Sequence, residues 1–106
     1  LIDERTQSQA EHSGLFFEAA NHTEFIGSQT AGANGDVTNV SLPGNITVWF
    51  TGLGVRHADG RQLQRIGLRP DIAVAPTIRG IRAGRDEVLE RAVTYLRALP
   101  ARKGAR

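Results

Sequence analysis

The 106 residues, 40% of them apolar and 23% charged, suit one compact domain and leave little room for a second. With no cysteine there can be no disulfide, iron–sulfur cluster, zinc–thiolate site or thiol catalysis, and no apolar run nears the roughly 20 residues that cross a bilayer as a helix. The net charge of +2 is split unevenly: residues 1–55 hold one arginine against six carboxylates (−5), and residues 56–106 hold twelve basic side chains against five acidic ones (+7).

Residues 1–4 are predicted as the end of a strand and residues 5–9 as a polar connection into a helix over residues 10–21, where Ala10, Leu15, Phe16, Ala19 and Ala20 follow helical spacing. Gly14 weakens that helix by about 1 kcal/mol relative to alanine unless close packing requires it. A short strand over residues 23–27 leads to Thr30-Ala31-Gly32-Ala33-Asn34-Gly35-Asp36, a run that tolerates unusual backbone angles and so reads as a tight loop. A β region follows: residues 37–42, a turn at Pro43-Gly44-Asn45, residues 46–55, a turn at Ala58-Asp59-Gly60, and residues 61–66. The Asp-Gly pair between two extended runs is a hairpin signal. Gly67-Leu68-Arg69-Pro70-Asp71 breaks the pattern and residues 72–74 resume it briefly. The last element is a helix over residues 86–99, with Val88, Leu89, Ala92, Val93 and Leu96 on one face, Asp86 and Glu87 complementing its N-terminal dipole, and Pro100 after its end. Residues 1–98 are expected to form the domain portion and residues 99–106 a basic tail. The sequence has no methionine and opens in what reads as the middle of an element, so it is expected to be a piece of a longer protein.

Ser8-Gln9-Ala10-Glu11 has the spacing of a capping box, in which the Ser8 hydroxyl accepts from the Glu11 N–H while the Glu11 carboxylate reaches back. A serine where a strand turns into a helix is also where a nucleophile is held, because the free N–H groups and dipole of the helix start face developing negative charge. Spacing leaves both readings open. Among possible bases, His12 follows Ser8 along the same helix, whereas a base ordinarily approaches from another element. His22, between helix and strand, and His57, beside a turn, are expected in solvated loops. No two histidines have ligand spacing, so no metal site is expected. The basic half contains one aromatic, Tyr95, so its charge lacks a stacking platform and no nucleic-acid partner is expected; Arg102, Lys103 and Arg106 read as a frayed tail.

Five stretches in order resemble the C-terminal half of the tail-specific and tricorn-like serine peptidases. They are Leu-Ile-Asp-Glu-Arg-Thr-Gln-Ser8-Gln-Ala-Glu11, then Phe25-Ile-Gly27-Ser-Gln-Thr30-Ala-Gly32-Ala-Asn-Gly35, Asp59-Gly60-Arg61, Gly67-Leu-Arg-Pro70-Asp71-Ile, and Ala83-Gly-Arg-Asp86. The likeness covers about residues 1–98. It implies an α/β fold, part of the crotonase/Clp-protease-like ββα fold, with an N-terminal helix, a central β-hairpin region and a C-terminal helix. By its place in Ser-x-x-Glu, Ser8 would be the nucleophile; the Gln9 N–H would donate to the oxyanion, and Gly32 and Ala33 would bind substrate. The processing-protease branch carries a lysine base in the loop that here reads Thr30 to Gly35, and the position closest to it is Ala33, so a Ser–Lys dyad is excluded. The Thr-Ala-Gly form resembles the tricorn-like branch, whose base is a histidine from an earlier segment and whose C-terminal half supplies an orienting glutamate. Between residues 56 and 78 only Asp59 and Asp71 are acidic; neither is assigned that role, and Asp71 reads as a turn residue after Pro70.

The expected function is that of a serine endopeptidase acting through an acyl-enzyme as part of a larger protein, with these residues alone inactive. The resemblance implies a peptide or unfolded-protein substrate and an extracytoplasmic location; no cofactor and no membrane span are expected. Two alternatives remain: a non-catalytic module binding a small ligand or peptide on the same scaffold, and an assembly domain in which Ser8 only caps a helix. A histidine facing Ser8 from upstream sequence discriminates the peptidase from the binder. A half-fold exposes apolar strand faces, so self-association or pairing with the missing N-terminal half is expected.

Overall fold

Strand β1 (Ile26–Gly27) lies between two parallel neighbours, pairing on one side with Ile2 and on the other with β4 (Ile72–Ala73). The computed structural model describes residues 1–20 and 23–100. The Ile2 N–H donates to the Ile26 carbonyl at 3.1 Å, the Ser28 N–H to the Ile2 carbonyl at 3.1 Å, and the Val74 N–H to the Gly27 carbonyl at 2.9 Å. The predicted strands at 1–4, 23–27 and 72–74 thus contract to one or two residues each. Gly27 is required at their centre: its φ is +137°, and a Cβ there would lie 1.9 Å from the Ile2 carbonyl oxygen. Asp71, predicted only as a turn residue, closes the sheet end, its carboxylate accepting from the Phe25 N–H at 2.7 Å while its own N–H donates to the Phe25 carbonyl at 2.8 Å.

Ile2, Phe25, Leu63 and Leu68 form the buried core, with Leu15 and Val55 packed against it. Helix α1 (Gln9–Ala19) begins one residue earlier than the sequence predicts and ends at the Ala20 cap; Asn21 lies outside the described residues. Its inward stripe is not the predicted one. Glu11, Gly14, Leu15 and Glu18, at i, i+3, i+4 and i+7, are buried or half-buried, whereas Phe16 and Phe17 are exposed. Close packing sets this rotation, because a Cβ on Gly14 would fall 2.2 Å from Leu68 Cδ1.

Strands β2 (Val37–Leu42) and β3 (Ile46–Thr51) form the predicted antiparallel hairpin, in register from Val37 opposite Thr51 to Leu42 opposite Ile46. The pairs Thr38/Phe50, Val40/Val48 and Leu42/Ile46 share one face and make it apolar; Asn39/Trp49 and Ser41/Thr47 share the other. Both faces are exposed. β3 stops at Thr51 instead of continuing to 55; one further rung, from the Gly52 N–H to the Asp36 carbonyl at 2.8 Å, closes the ladder. The projecting hairpin contributes to a radius of gyration of 18.1 Å, against about 13 Å for a compact 100-residue domain.

The Asp-Gly turn forms as predicted, with the His57 N–H donating to the Arg61 carbonyl at 2.9 Å and Arg56 bridging to Gln62. No strand continues to 66: the N–H groups of Ile66 and Gly67 both bond the Leu63 carbonyl, and the chain turns around the fully buried Leu63. Helix α2 (Ile78–Arg82), which periodicity does not signal, is capped by Thr77, whose hydroxyl accepts from the Gly80 N–H at 2.9 Å. Helix α3 (Glu87–Ala98) follows the predicted helix closely, with Asp86 as its cap at 2.9 Å from the Leu89 N–H. It packs on β1 through Ala92 and its neighbours, but Leu89 and Leu96, expected on the same face, stay exposed. His22 and the tail residues Arg102, Lys103 and Arg106 lie outside the described residues. No described helix is long and apolar enough to cross a membrane.

Candidate active site

Ser8 occupies the turn into α1 with φ +53° and ψ −122°, and its side chain makes no cap hydrogen bond. A non-glycine residue adopts that backbone only when its surroundings enforce it. Here the Ser8 N–H donates to the Ala33 carbonyl at 2.8 Å, and two residues upstream the Thr6 carbonyl accepts from the Ala31 N–H at 3.0 Å, so the turn is stitched to the 30–33 loop on both sides. The serine itself is exposed, with its hydroxyl free at the helix start. The adjacent Gln9 N–H belongs to the first turn and has no partner within the helix.

The capping-box reading is therefore corrected. Glu11 does not reach back to Ser8; it is fully buried, and its carboxylate accepts from the Thr30 hydroxyl at 2.5 Å, the Gly32 N–H at 2.7 Å and the Ala33 N–H at 2.9 Å. Three donors satisfy a buried carboxylate where one cap N–H would not. Glu11 shapes the loop, and the loop holds Ser8. A second lacing runs from that loop to the 64–68 turn: the Leu68 N–H donates to Thr30 Oγ1 at 2.8 Å, the Thr30 N–H to the Leu68 carbonyl at 3.1 Å, and the Arg65 N–H to the Gly32 carbonyl at 2.7 Å. Gly32, at φ +66°, is pressed so closely that a Cβ would sit 2.7 Å from the Ile66 nitrogen. The N–H and C=O of both Gly32 and Ala33 are thus engaged within the chain.

No described histidine ring is hydrogen-bonded to Ser8. His12 stacks edge-on against Phe16 at 5.0 Å, and its Nδ1 lies 3.5 Å from Asn34 Nδ2. His57 is not the solvated residue expected: it is 4% exposed, and its Nδ1 lies 2.6 Å from a Glu18 carboxylate oxygen. Glu18 also faces Arg61 at 3.4 Å, and Arg61 binds Asp59, whose carboxyl is held below the usual range chiefly by that guanidinium hydrogen bond. The pattern that could have signalled this is Glu18 on the same helical stripe as Glu11 and Leu15. A cavity of about 510 Å³ lies elsewhere, lined by Leu1, Asp3, Arg5, Val74, Ile81 and other residues but not by Ser8. Among the described residues no cluster of side chains could hold a metal ion.

Residues 1–74 match peptidase family S41, and the chain belongs to that family. Its fold is shared by a protein from Parabacteroides merdae described as a candidate peptidase, with a TM-score of 0.84 and 24% identity over 97% of this chain and 32% of that one. Mature CPAF gives a TM-score of 0.80 and 28% identity over 96% of this chain and 20% of that one. The tricorn protease gives 0.70 and 20% identity over 88% of this chain and 9% of that one. The chain therefore spans a third or less of these structures. No curated protein matches its sequence.

Proposed function

We propose that this chain is the nucleophile-bearing portion of a serine endopeptidase, with the general base contributed by chain outside these residues. The observation that carries the reading is the Ser8 backbone: a strained turn, held by Ala33, that leaves the hydroxyl uncapped at a helix N-terminus. In this reading Ser8 Oγ attacks the scissile carbonyl, an external base takes its proton, and the Gln9 N–H donates to the oxyanion. The acyl-enzyme is then hydrolysed by water. Gly32 and Ala33 flank the scissile bond and meet substrate through their Cα atoms and the free lone pairs of their carbonyls, since Glu11 occupies their N–H groups. Substrate is peptide or unfolded protein.

The pairing with a further portion of the domain, or with a second copy, is supported by the hairpin face of Val40, Leu42, Ile46, Val48 and Phe50, all exposed. Residues 1–98 act as part of the catalytic domain and residues 99–106 as a tail. A fluorophosphonate probe tests the reading. The parent protein is expected to be labelled at Ser8, with these 106 residues alone unlabelled; absence of label on a folded parent would favour the non-catalytic binding module.

A further inference from the structure

Ser8, His12 and Phe16 stand at every fourth position from the start of α1, so they form one row on the helix that leads away from the nucleophile. The His12 N–H donates to the Ser8 carbonyl at 3.0 Å. Helical side chains lean toward the N-terminus, which sets the His12 ring over the turn that begins at Ser8 and the Phe16 ring over His12. The two rings meet edge to face, with centroids 5.0 Å apart and planes at 81°. The row rotates outward as it rises: Glu11 and Gly14 face the core, His12 is half-buried and Phe16 is 65% exposed.

The loop that holds Ser8 also orients His12. Asn34 directly follows Ala33 and is buried, and its Oδ1 accepts from the Gly35 N–H at 2.8 Å, which turns Nδ2 toward His12 Nδ1 at 3.5 Å. An amide nitrogen has only hydrogens to present, so the lone pair of Nδ1 faces it and the ring proton resides on Nε2. Among the described residues that Nε2 has no hydrogen-bond partner, and unlike His57 Nε2 it is not sealed from solvent. One oriented N–H donor and one exposed aromatic ring, continuous with an uncapped serine, match the make-up of ligand sites, which are mostly apolar with a few placed polar groups.

We infer that His12 and Phe16 form a substrate subsite beside the nucleophile: the His12 Nε2–H donates to a main-chain carbonyl of the bound peptide, and the Phe16 ring packs against a large apolar side chain of that peptide. The inference rests on the serine-peptidase reading. Four helical residues rise about 6 Å, whereas an extended peptide advances about 3.3 Å per residue. A peptide laid along the row from Ser8 therefore meets His12 about two residues from the scissile bond and Phe16 about three or four residues from it. The donor takes any peptide, since every residue but the last offers the same carbonyl; the ring selects among them.

The test uses the full-length parent protein. Denatured casein is digested and the new ends are read by mass spectrometry; a fluorogenic peptide is then built on the best-cleaved site, with a counterpart carrying glycine in place of the apolar residue. Wild type should favour the apolar peptide about tenfold in kcat/KM, and Phe16→Ser should cut that preference to about twofold or less. His12→Ala should raise KM for both peptides about tenfold with a smaller change in kcat, and His12→Gln, which keeps a donor, should recover part of the loss. If His12→Ala fails to fold, His12→Gln and Phe16→Ser decide. Wild type without the preference, or a preference undiminished in Phe16→Ser whether or not its melting temperature falls, would overturn the subsite, the latter with a lowered melting temperature meaning that another part of the parent covers the ring. An unchanged KM in His12→Ala would overturn the donor, and so would a loss of fluorophosphonate labelling matching the loss of kcat, which would place His12 on proton transfer. An unlabelled wild type would overturn the peptidase reading and this inference with it.

Discussion

The Glu11 carboxylate accepts the Gly32 N–H at 2.7 Å, tying the first turn of α1 to a loop 21 residues further along the chain. This bond and its two companions from Thr30 and Ala33 shape the loop whose Ala33 carbonyl accepts the Ser8 N–H. Glu11→Ala would strand three donors around a buried void and should lower unfolding free energy by about 3 kcal/mol or more. Glu11→Gln, which keeps one acceptor but sets an NH2 group against an N–H, should fall between the two. Denaturant midpoints at unchanged slope measure both.

Because Ser8 contributes no cap bond, its removal should not have the effect of a lost cap. Ser8→Ala is expected within about 0.5 kcal/mol of wild type rather than the roughly 1 kcal/mol that a lost cap would produce. Ser8→Gly, free to adopt φ +53°, should be at least as stable as wild type, because the backbone strain is relieved. A midpoint for Ser8→Gly clearly below that of Ser8→Ala would contradict this account.

Three glycines separate conformational strain from contact. Gly54 has open space and no left-handed backbone, so Gly54→Ala should be nearly neutral. Gly44 has φ +85° and open space, and Gly44→Ala should be destabilising by about 1–2 kcal/mol from backbone strain alone. Gly32→Ala meets both strain and the backbone of the 64–68 turn, and should exceed about 3 kcal/mol. The order of the three melting temperatures is the readout.

The junction between α2 and α3 should loosen in acid. Glu87 accepts from the Thr77 N–H at 2.5 Å and from its hydroxyl at 3.1 Å, and the backbone bond chiefly holds the Glu87 carboxyl below its ordinary value. A carboxyl whose folded pKa is depressed adds stability above its unfolded pKa, about 4.3, and loses it as pH falls through the folded value. Protection of the Thr77 amide against exchange, corrected for intrinsic rate, should therefore be full near pH 6 and fall below about pH 4. Glu87→Gln should abolish that dependence.

Trp49, 64% exposed on the projecting hairpin, is the chain's sole tryptophan and reports on whatever covers it. In these residues alone at low concentration its emission should be that of a solvated indole. If self-association or pairing reaches its side of the ribbon, emission should shift to shorter wavelength; Val40→Asp, on the apolar face, should weaken the association itself, measured by sedimentation.

The order and kind of the main elements were legible in local sequence. The periodicity of residues 86–99, the Pro-Gly-Asn and Asp-Gly turns, and the glycine-rich run after Thr30 each depend on neighbours a few residues away, and each stands where the sequence predicts it. The placement of Ser8 at a helix start was legible for the same reason. The register that sets Thr38, Val40 and Leu42 opposite Phe50, Val48 and Ile46, and so gives the ribbon its apolar face, came from the structure.

What Ser8 and Glu11 do at that helix start was decided only by tertiary structure. The spacing Ser-x-x-Glu satisfies a capping box locally, but a carboxylate that becomes fully buried goes to the larger number of donors, and those belong to Thr30, Gly32 and Ala33. His57 was misread in the same way: a histidine beside a turn is solvated unless a distant carboxylate, here Glu18, follows it into the interior. The rotation of α1 was set by Gly14 against Leu68, a contact between residues 54 positions apart in the sequence. Local pattern determines which segments are helix and strand, because backbone preference and periodicity act over a few residues. Which polar group satisfies which depends on desolvation, and burial is a property of the assembled chain.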